Sequence, residues 1–263
     1  MRCVIKRIYV FTTTLALFIA ACVTTPETDR KQVIVVSDEQ MSALGEQSYR
    51  EIMTKEKLST DQKLKNEVTE IGKQIAQVSG KKYDWEFNVF ESKDVNAFCL
   101  PGGKVGVFTG IVPVAKTTAG LAAVIGHEVA HAIARHGAER ISQAMILQGL
   151  LVTTDVVLQK KEYRNMVLSA LGLGAQLGVL LPYSRKHESE ADYIGLKYMA
   201  EAGYDPNEAA ELWVRMGEMQ KSSPPEFLST HPSSDRRAAN LRAQVKEVWP
   251  LYEKSQKRPT VAL

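Results

Sequence analysis

The segment Gly126-His127-Glu128-Val129-Ala130-His131 places two histidines four residues apart, with a carboxylate next to the first. On a helix, positions i and i+4 share a face, so both imidazoles can reach one ion. Two neutral imidazoles bind Zn²⁺ at about 2.0–2.1 Å, and a catalytic zinc takes one further protein ligand and keeps a position for water. Zinc lowers the pKa of that water to about 7, so a carboxylate such as Glu128 suffices as the base. The chemistry implied is peptide hydrolysis by an activated water, without a covalent intermediate. A chance HExxH on an alanine-rich helix is the competing explanation, and the third ligand decides between them.

A metzincin would carry Gly at 134 and His at 137, whereas this chain has Ala134 and Gly137. A gluzincin instead draws a glutamate from a second helix, and the stretch from Tyr183 to Asp192 supplies one in Glu188. Asp192, one turn further on the same face, is placed to accept the N–H of a ligating histidine, His127, and to fix its tautomer. Glu190 is the alternative ligand, but it lies about 200° around the helix from Glu188 and would leave Asp192 without that role. His136, five residues past His131, and His187, beside Glu188, read as solvated or capping residues. His231 stands before a proline in Ser229-Thr230-His231-Pro232-Ser233-Ser234-Asp235-Arg236-Arg237. On spacing alone it is a surface histidine; if it reaches the metal, it is a fourth ligand that closes the site or a donor to a tetrahedral oxyanion.

The elements that must position these residues are legible in the periodicity. From Thr117 to Gln148 apolar residues recur at helical spacing with no proline, predicting one long, mostly buried helix. Helices are also expected from Ser37, where Gln40 completes a capping box, from Thr60 to about Val78, from Asp205-Pro206 to about Gln220, and up to about Trp249. Residues 85–90 and 104–109 alternate as strands. Between them, Asn96-Ala97-Phe98-Cys99-Leu100-Pro101-Gly102-Gly103 suggests a small sheet whose edge borders the cleft. An edge strand can bind an extended peptide through main-chain hydrogen bonds. Asn96, Ala97, Gly102 and Gly103 are the candidate substrate-binding residues. The expected fold is α+β, mostly helical.

The N-terminal 21 residues combine Arg2, Lys6 and Arg7 with an apolar run from Ile8 to Ala21, the build of a secretory signal. The run ends Ile19-Ala20-Ala21-Cys22, which resembles a bacterial lipobox, so lipidation of Cys22 is expected. Residues 22–36 read as a lipid-anchored tether, and residues 37–263 as the catalytic domain. Val23 follows the cysteine, which by resemblance to Gram-negative lipoproteins directs the chain to the periplasmic face of the outer membrane. Arg2, Lys6 and Arg7 account for the whole net charge of +3, so there is no basic footprint for nucleic acid. Cys99 is then the remaining thiol and reads as buried and inert. The apolar runs Met145–Leu158 and Met166–Leu181 carry several glycines and read as helices roofing the site rather than as a membrane hairpin.

Four ordered segments, NAFCLPGGKVGVFTG, GHEVAHAIARHGAER, YSRKHESEADYIG and STHPSSDRR, resemble the HtpX-like and CAAX-prenyl-protease-type zinc endopeptidases, in particular their periplasmic lipoprotein branch. The similarity runs from about Ser37 to Trp249. It implies a single gluzincin-type domain holding one Zn²⁺ on His127, His131 and Glu188. It further implies Glu128 as base, Asn96 and Ala97 on the substrate strand, and His231 and Arg237 near the active site. Some such proteins carry a C-terminal helical-repeat domain; here 14 residues follow Trp249, fewer than one repeat of about 34, so recruitment by that route is not expected. The multiple spans of the prenyl proteases are lacking, and prenylated substrates are not expected. The implied partners are unfolded or misassembled envelope proteins, cut as extended segments. The rival reading is a chaperone-like binding lipoprotein whose zinc is structural, with His231 closing the fourth position.

Overall fold

The computed structural model describes residues 22–147, 184–220, 227–231 and 236–263. The leader, the apolar runs beyond Leu147, the Ser222–Pro225 breaker and residues 232–235 lie outside the described residues. The described chain begins with a two-stranded antiparallel hairpin, β1 (Cys22–Thr24) and β2 (Lys31–Val33), followed by α1 (Asp38–Lys55) and α2 (Gln62–Val78). Strands β3 (Glu86–Phe90), β4 (Ala97–Leu100) and β5 (Lys104–Phe108) come next, then the short α3 (Val112–Ala115) and α4 (Thr118–Ile133). Helices α5 (His136–Leu147), α6 (Arg185–Glu201), α7 (Asn207–Gln220), α8 (Phe227–Thr230) and α9 (Arg237–Lys254) complete the set. The expectation of a mostly helical α+β fold holds. Among the described residues no helix is long and apolar enough to cross a membrane.

Helix α4 is the axis of the molecule, and every one of its residues is buried. Thr117 caps it by accepting from Gly120 N at 3.0 Å. Its next free amide, Thr118 N, donates to Val261 O at 2.9 Å, so the C-terminal tail satisfies a donor that a helix start leaves open. Around α4 pack α2 through Val68, Ile71 and Ile75, α6 through Ile194 and Tyr198, and the sheet through Val89, Ala97 and Val107. The other sheet face buries Phe90, Phe98 and Phe108, ring centroids 5.5–6.1 Å apart, against Met41, Leu44 and Tyr49 of α1. Alternating side chains thus feed two cores, as period-2 geometry demands. The strand order is β3-β5-β4, with β3 parallel and β4 antiparallel to β5, leaving β4 at an edge.

Three elements differ from expectation. The helix expected from Thr117 to Gln148 is broken: α4 stops at Ile133, Arg135 turns the chain with φ 60°, and α5 restarts at His136. Arg135 is held in this left-handed conformation by Asp38 Oδ1 at 2.8 Å and by Val36 O at 3.2 Å. The segment expected as a loose tether, residues 22–36, is instead docked: Thr25, Gln32 and Ile34 are buried, and Gln32 Nε2 donates to Ala134 O at 3.1 Å. The last helix also runs on through Pro250 to Lys254.

Helices α4 and α6 cross at Gly126 and Gly195. A Cβ on Gly195 would stand 2.8 Å from His127 N and 2.9 Å from Gly126 C, closer than packing allows. Gly195→Ala therefore forces apart the two helices that carry the motif residues. Although alanine favours helix by about 1 kcal/mol, a net loss of about 1–3 kcal/mol is expected. Thermal unfolding of the zinc-loaded chain checks this, together with weakened zinc retention; an unchanged or raised Tm would show that the crossing tolerates a methyl.

Candidate metal centre

His127 and His131 lie one turn apart on α4, and α6 brings Glu188 against them, its start fixed by Ser184 Oγ accepting from His187 N at 3.2 Å. His231, just after α8, completes a buried group of four. His127 Nε2 stands 3.1 Å from His131 Nε2 and 3.2 Å from His231 Nδ1. Glu188 Oε1 lies 3.2 Å from His231 Nδ1 and 3.4 Å from His131 Nε2, and Glu188 Oε2 lies 3.5 Å from His127 Nε2. Ligands about 2.0–2.1 Å from a tetrahedral zinc are about 3.3 Å from each other, and these separations, taken to the nearer Glu188 oxygen, are of that size. The donor set therefore fits a single zinc ion.

The surroundings hold these donors in place. Asp192 Oδ1 is 3.1 Å from His127 Nδ1. Arg237 binds Asp192 through Nε at 2.8 Å and Nη2 at 2.5 Å, and reaches Glu188 Oε2 through Nη1 at 2.7 Å. Its guanidinium lies over the Trp213 ring, 3.3 Å from the centroid. Glu188 is buried, which opposes its ionisation, but His231, with His127 and His131, holds it well below the usual carboxylate range. Burial likewise opposes charge on His127, yet Asp192 and Glu188 outweigh it and lift its pKa to about 9. His131 moves the other way: burial, together with His127 and His136, depresses it despite Glu188. The opposite shifts of two adjacent imidazoles mean that the metal-free group keeps its proton on His127. Glu128 is buried and raised above its ordinary value, chiefly by desolvation, and its Oε1 lies 3.4 Å from His231 Nε2.

The structure thus brings together His127, Glu128, His131, Glu188, Asp192, His231 and Arg237. Glu190, the alternative ligand, faces away from the group toward Arg30 and His136, with Arg30 Nε 2.5 Å from its Oε2. Asn96 and Ala97 sit at the end of edge strand β4 that leads from Val95, whose carbonyl accepts from Phe227 N at 3.1 Å. Gly102 and Gly103, both with φ 90°, turn the chain at the far end of that strand against Ser42, Tyr83 and Trp85, away from the four donors. Cys99 lines a pocket with Pro101, Tyr83, His131 and Arg135, and burial pushes its thiol pKa well up, leaving it a poor nucleophile.

His136 and His187 correct the sequence reading. Neither is solvated: both are buried, their rings stacked 4.4 Å apart. His136 Nδ1 is 2.9 Å from His131 Nδ1, and His187 Nε2 is 3.1 Å from Glu139 Oε2. Burial, opposed by Glu190, lowers the His136 pKa to about 4 and keeps its ring neutral. On an unbroken helix His136 would lie on another face; the turn at Arg135 brings it against His131.

The family model for peptidase family M48 matches residues 59–245. Among known proteins, the chain is 37% identical over 249 residues to the mitochondrial metalloendopeptidase OMA1 of Schizosaccharomyces pombe, covering 87% of this chain and 72% of that one. It is 38% identical over 202 residues to the protein of the same name from Arabidopsis thaliana, covering 72% of this chain and 40% of the relative. It is 25% identical over 223 residues to the beta-barrel assembly-enhancing protease of Yersinia pestis, covering 82% and 46%. The chain therefore spans less than half of the latter two relatives. Together with the gathered histidine and glutamate donors, these matches show that the chain belongs to peptidase family M48, a family of zinc metalloendopeptidases.

Proposed function

We propose that the chain is a zinc endopeptidase seen in a latent conformation, with His127, His131 and Glu188 as ligands and His231 in the place that water and substrate need. The separations of 3.1–3.5 Å that link His127 Nε2, His131 Nε2 and His231 Nδ1 to one another or to a Glu188 oxygen carry this reading. A bound zinc supplies a Lewis acid and lowers the pKa of water. Glu128 accepts the proton of that water at its carboxylate, and its raised pKa suits a group that must later return the proton to the leaving amine. Asp192 holds His127 with Nε2 toward the donors, and Arg237 holds Asp192 and Glu188. His231 presents Nδ1 to the donor group and Nε2 to Glu128, so its departure frees the fourth position and the base together.

In this reading an extended substrate pairs with the edge of β4 that no strand covers among the described residues, near Asn96 and Ala97, a mode that selects conformation over sequence. Unfolded or misassembled envelope proteins are the substrate class, and the relative named for enhancing β-barrel assembly supports it. A lipid on Cys22 anchoring the chain to the periplasmic face of the outer membrane, and a place in the HtpX-like lipoprotein branch, rest on the leader and the four sequence segments. The closed donor shell favours a second reading, a zinc-holding chaperone-like module, if His231 never leaves.

Zinc content and casein cleavage of the full chain, measured beside Glu128→Gln and His231→Ala, separate the two. Glu128→Gln should keep zinc and lose about 10²–10⁴-fold in rate, while His231→Ala should cut faster than the wild type. Cleavage by Glu128→Gln at the wild-type rate would end the protease reading, and three zinc-loaded but inert proteins would establish the binding module. Because zinc must displace the proton on His127, its apparent Kd should fall about tenfold per pH unit from pH 7 to about 9 and then level. Competition with a chromogenic chelator across that range measures it; a flat profile would place the proton elsewhere.

A further inference from the structure

The docked hairpin and the misjudged His136 belong to one chain of contacts that ends on a metal-site histidine. Thr25 Oγ1 donates to Glu190 Oε1 at 2.9 Å, and Thr28 Oγ1 donates to the same oxygen. Arg30 Nε donates to Glu190 Oε2 at 2.5 Å, and its other two nitrogens grip Glu139 at 3.1 and 2.7 Å. Glu190 Oε2 in turn is 3.0 Å from His136 Nε2, and His136 Nδ1 is 2.9 Å from His131 Nδ1. His131 presents Nε2 to the donor group, so as a ligand it carries its proton on Nδ1; His136 Nδ1 then accepts a hydrogen bond from that proton, and His136 Nε2 donates to Glu190, an ionised carboxylate that only accepts. The bare Nε2 of His131 is the form a ligand needs.

We propose that the N-terminal arm, residues 22–36, is a working part of the metal centre, with Thr25, Thr28 and Arg30 orienting Glu190, Glu190 orienting His136, and His136 fixing the tautomer and aim of His131. These are positioning residues, none of which touches the metal or substrate. Asp192 does the same for His127, so each ligating imidazole is oriented by a separate set of groups, one within the catalytic helices and one reaching back to the arm. The arm also stabilises the geometry that brings His136 into place, since Gln32 satisfies Ala134 O at the helix break and Val35 N donates to Ser142 Oγ on α5 at 2.9 Å. The inference rests on the zinc-site reading above.

The test is zinc affinity of the full chain, read by chelator competition, with the visible spectrum of the cobalt-loaded protein as a second readout and the Tm of the metal-free form as a control for folding. His136→Leu should raise the zinc Kd about 10–100-fold and alter the cobalt spectrum, whereas His136→Asn, which restores an acceptor near the same place, should recover most of the affinity. Arg30→Ala should raise the Kd in the same direction and add nothing further in the His136→Leu background. Glu190→Gln, which keeps the side-chain shape, provides the same background should His136→Leu not fold. A folded Arg30→Ala with wild-type zinc affinity, or effects of Arg30→Ala and His136→Leu that multiply, would overturn the proposal. A wild type that binds no zinc would overturn both this proposal and the site reading, while normal zinc binding with unaffected arm variants would overturn this proposal alone.

Discussion

A carboxylate buried as deeply as Glu188 must be compensated, and the elements that compensate it organise the molecule. Arg237 arrives from the last helix, the two histidines from the central one, and His231 from the segment between α8 and α9. Glu188 and Asp192 together exceed the single arginine by one negative charge, which the proton on His127 offsets when no ion is present. A divalent ion is the natural counter-charge. The close crossing at Gly126 and Gly195 serves the same end, because it holds the acidic helix within hydrogen-bond reach of the imidazoles.

Much of this was legible in the sequence because it is local. The i, i+4 spacing of His127 and His131 and of Glu188 and Asp192 follows from helical geometry, and the Ser37–Gln40 capping box and strands β3 and β5 stand where the sequence places them. The break after α4 was not legible. It carries neither glycine nor proline, and the left-handed Arg135 is tolerated only because Val36 and Asp38, about a hundred residues earlier, hold it. Without the break, helical spacing puts His136 on the wrong face. The arm misled for the same reason. A polar composition describes a tether well until its threonines and arginine find partners 109 to 165 residues away. Tertiary polar contacts of that range leave no periodic trace.

The closed shell around His231 joins the two readings of function in one mechanism. The ring stacks on Phe227, centroids 4.4 Å apart, and Phe227 N is bonded to Val95 O beside the start of the edge strand. In the proposed latent form, the segment that carries His231 is thus tied to the strand a substrate would use. Occupancy of the edge and release of the histidine then compete for the same few contacts, as a bistable element requires.

The arm has a consequence for biogenesis. Thr25 and Glu190 are separated by 165 residues, and His127 and His231 by 104, so the donor group cannot assemble until almost the whole chain has emerged and closed on itself. The earliest residues out are kept waiting for some of the latest. The groups that orient the metal-site histidines are therefore gathered from both ends of the described chain, and the site is complete only once those ends have met.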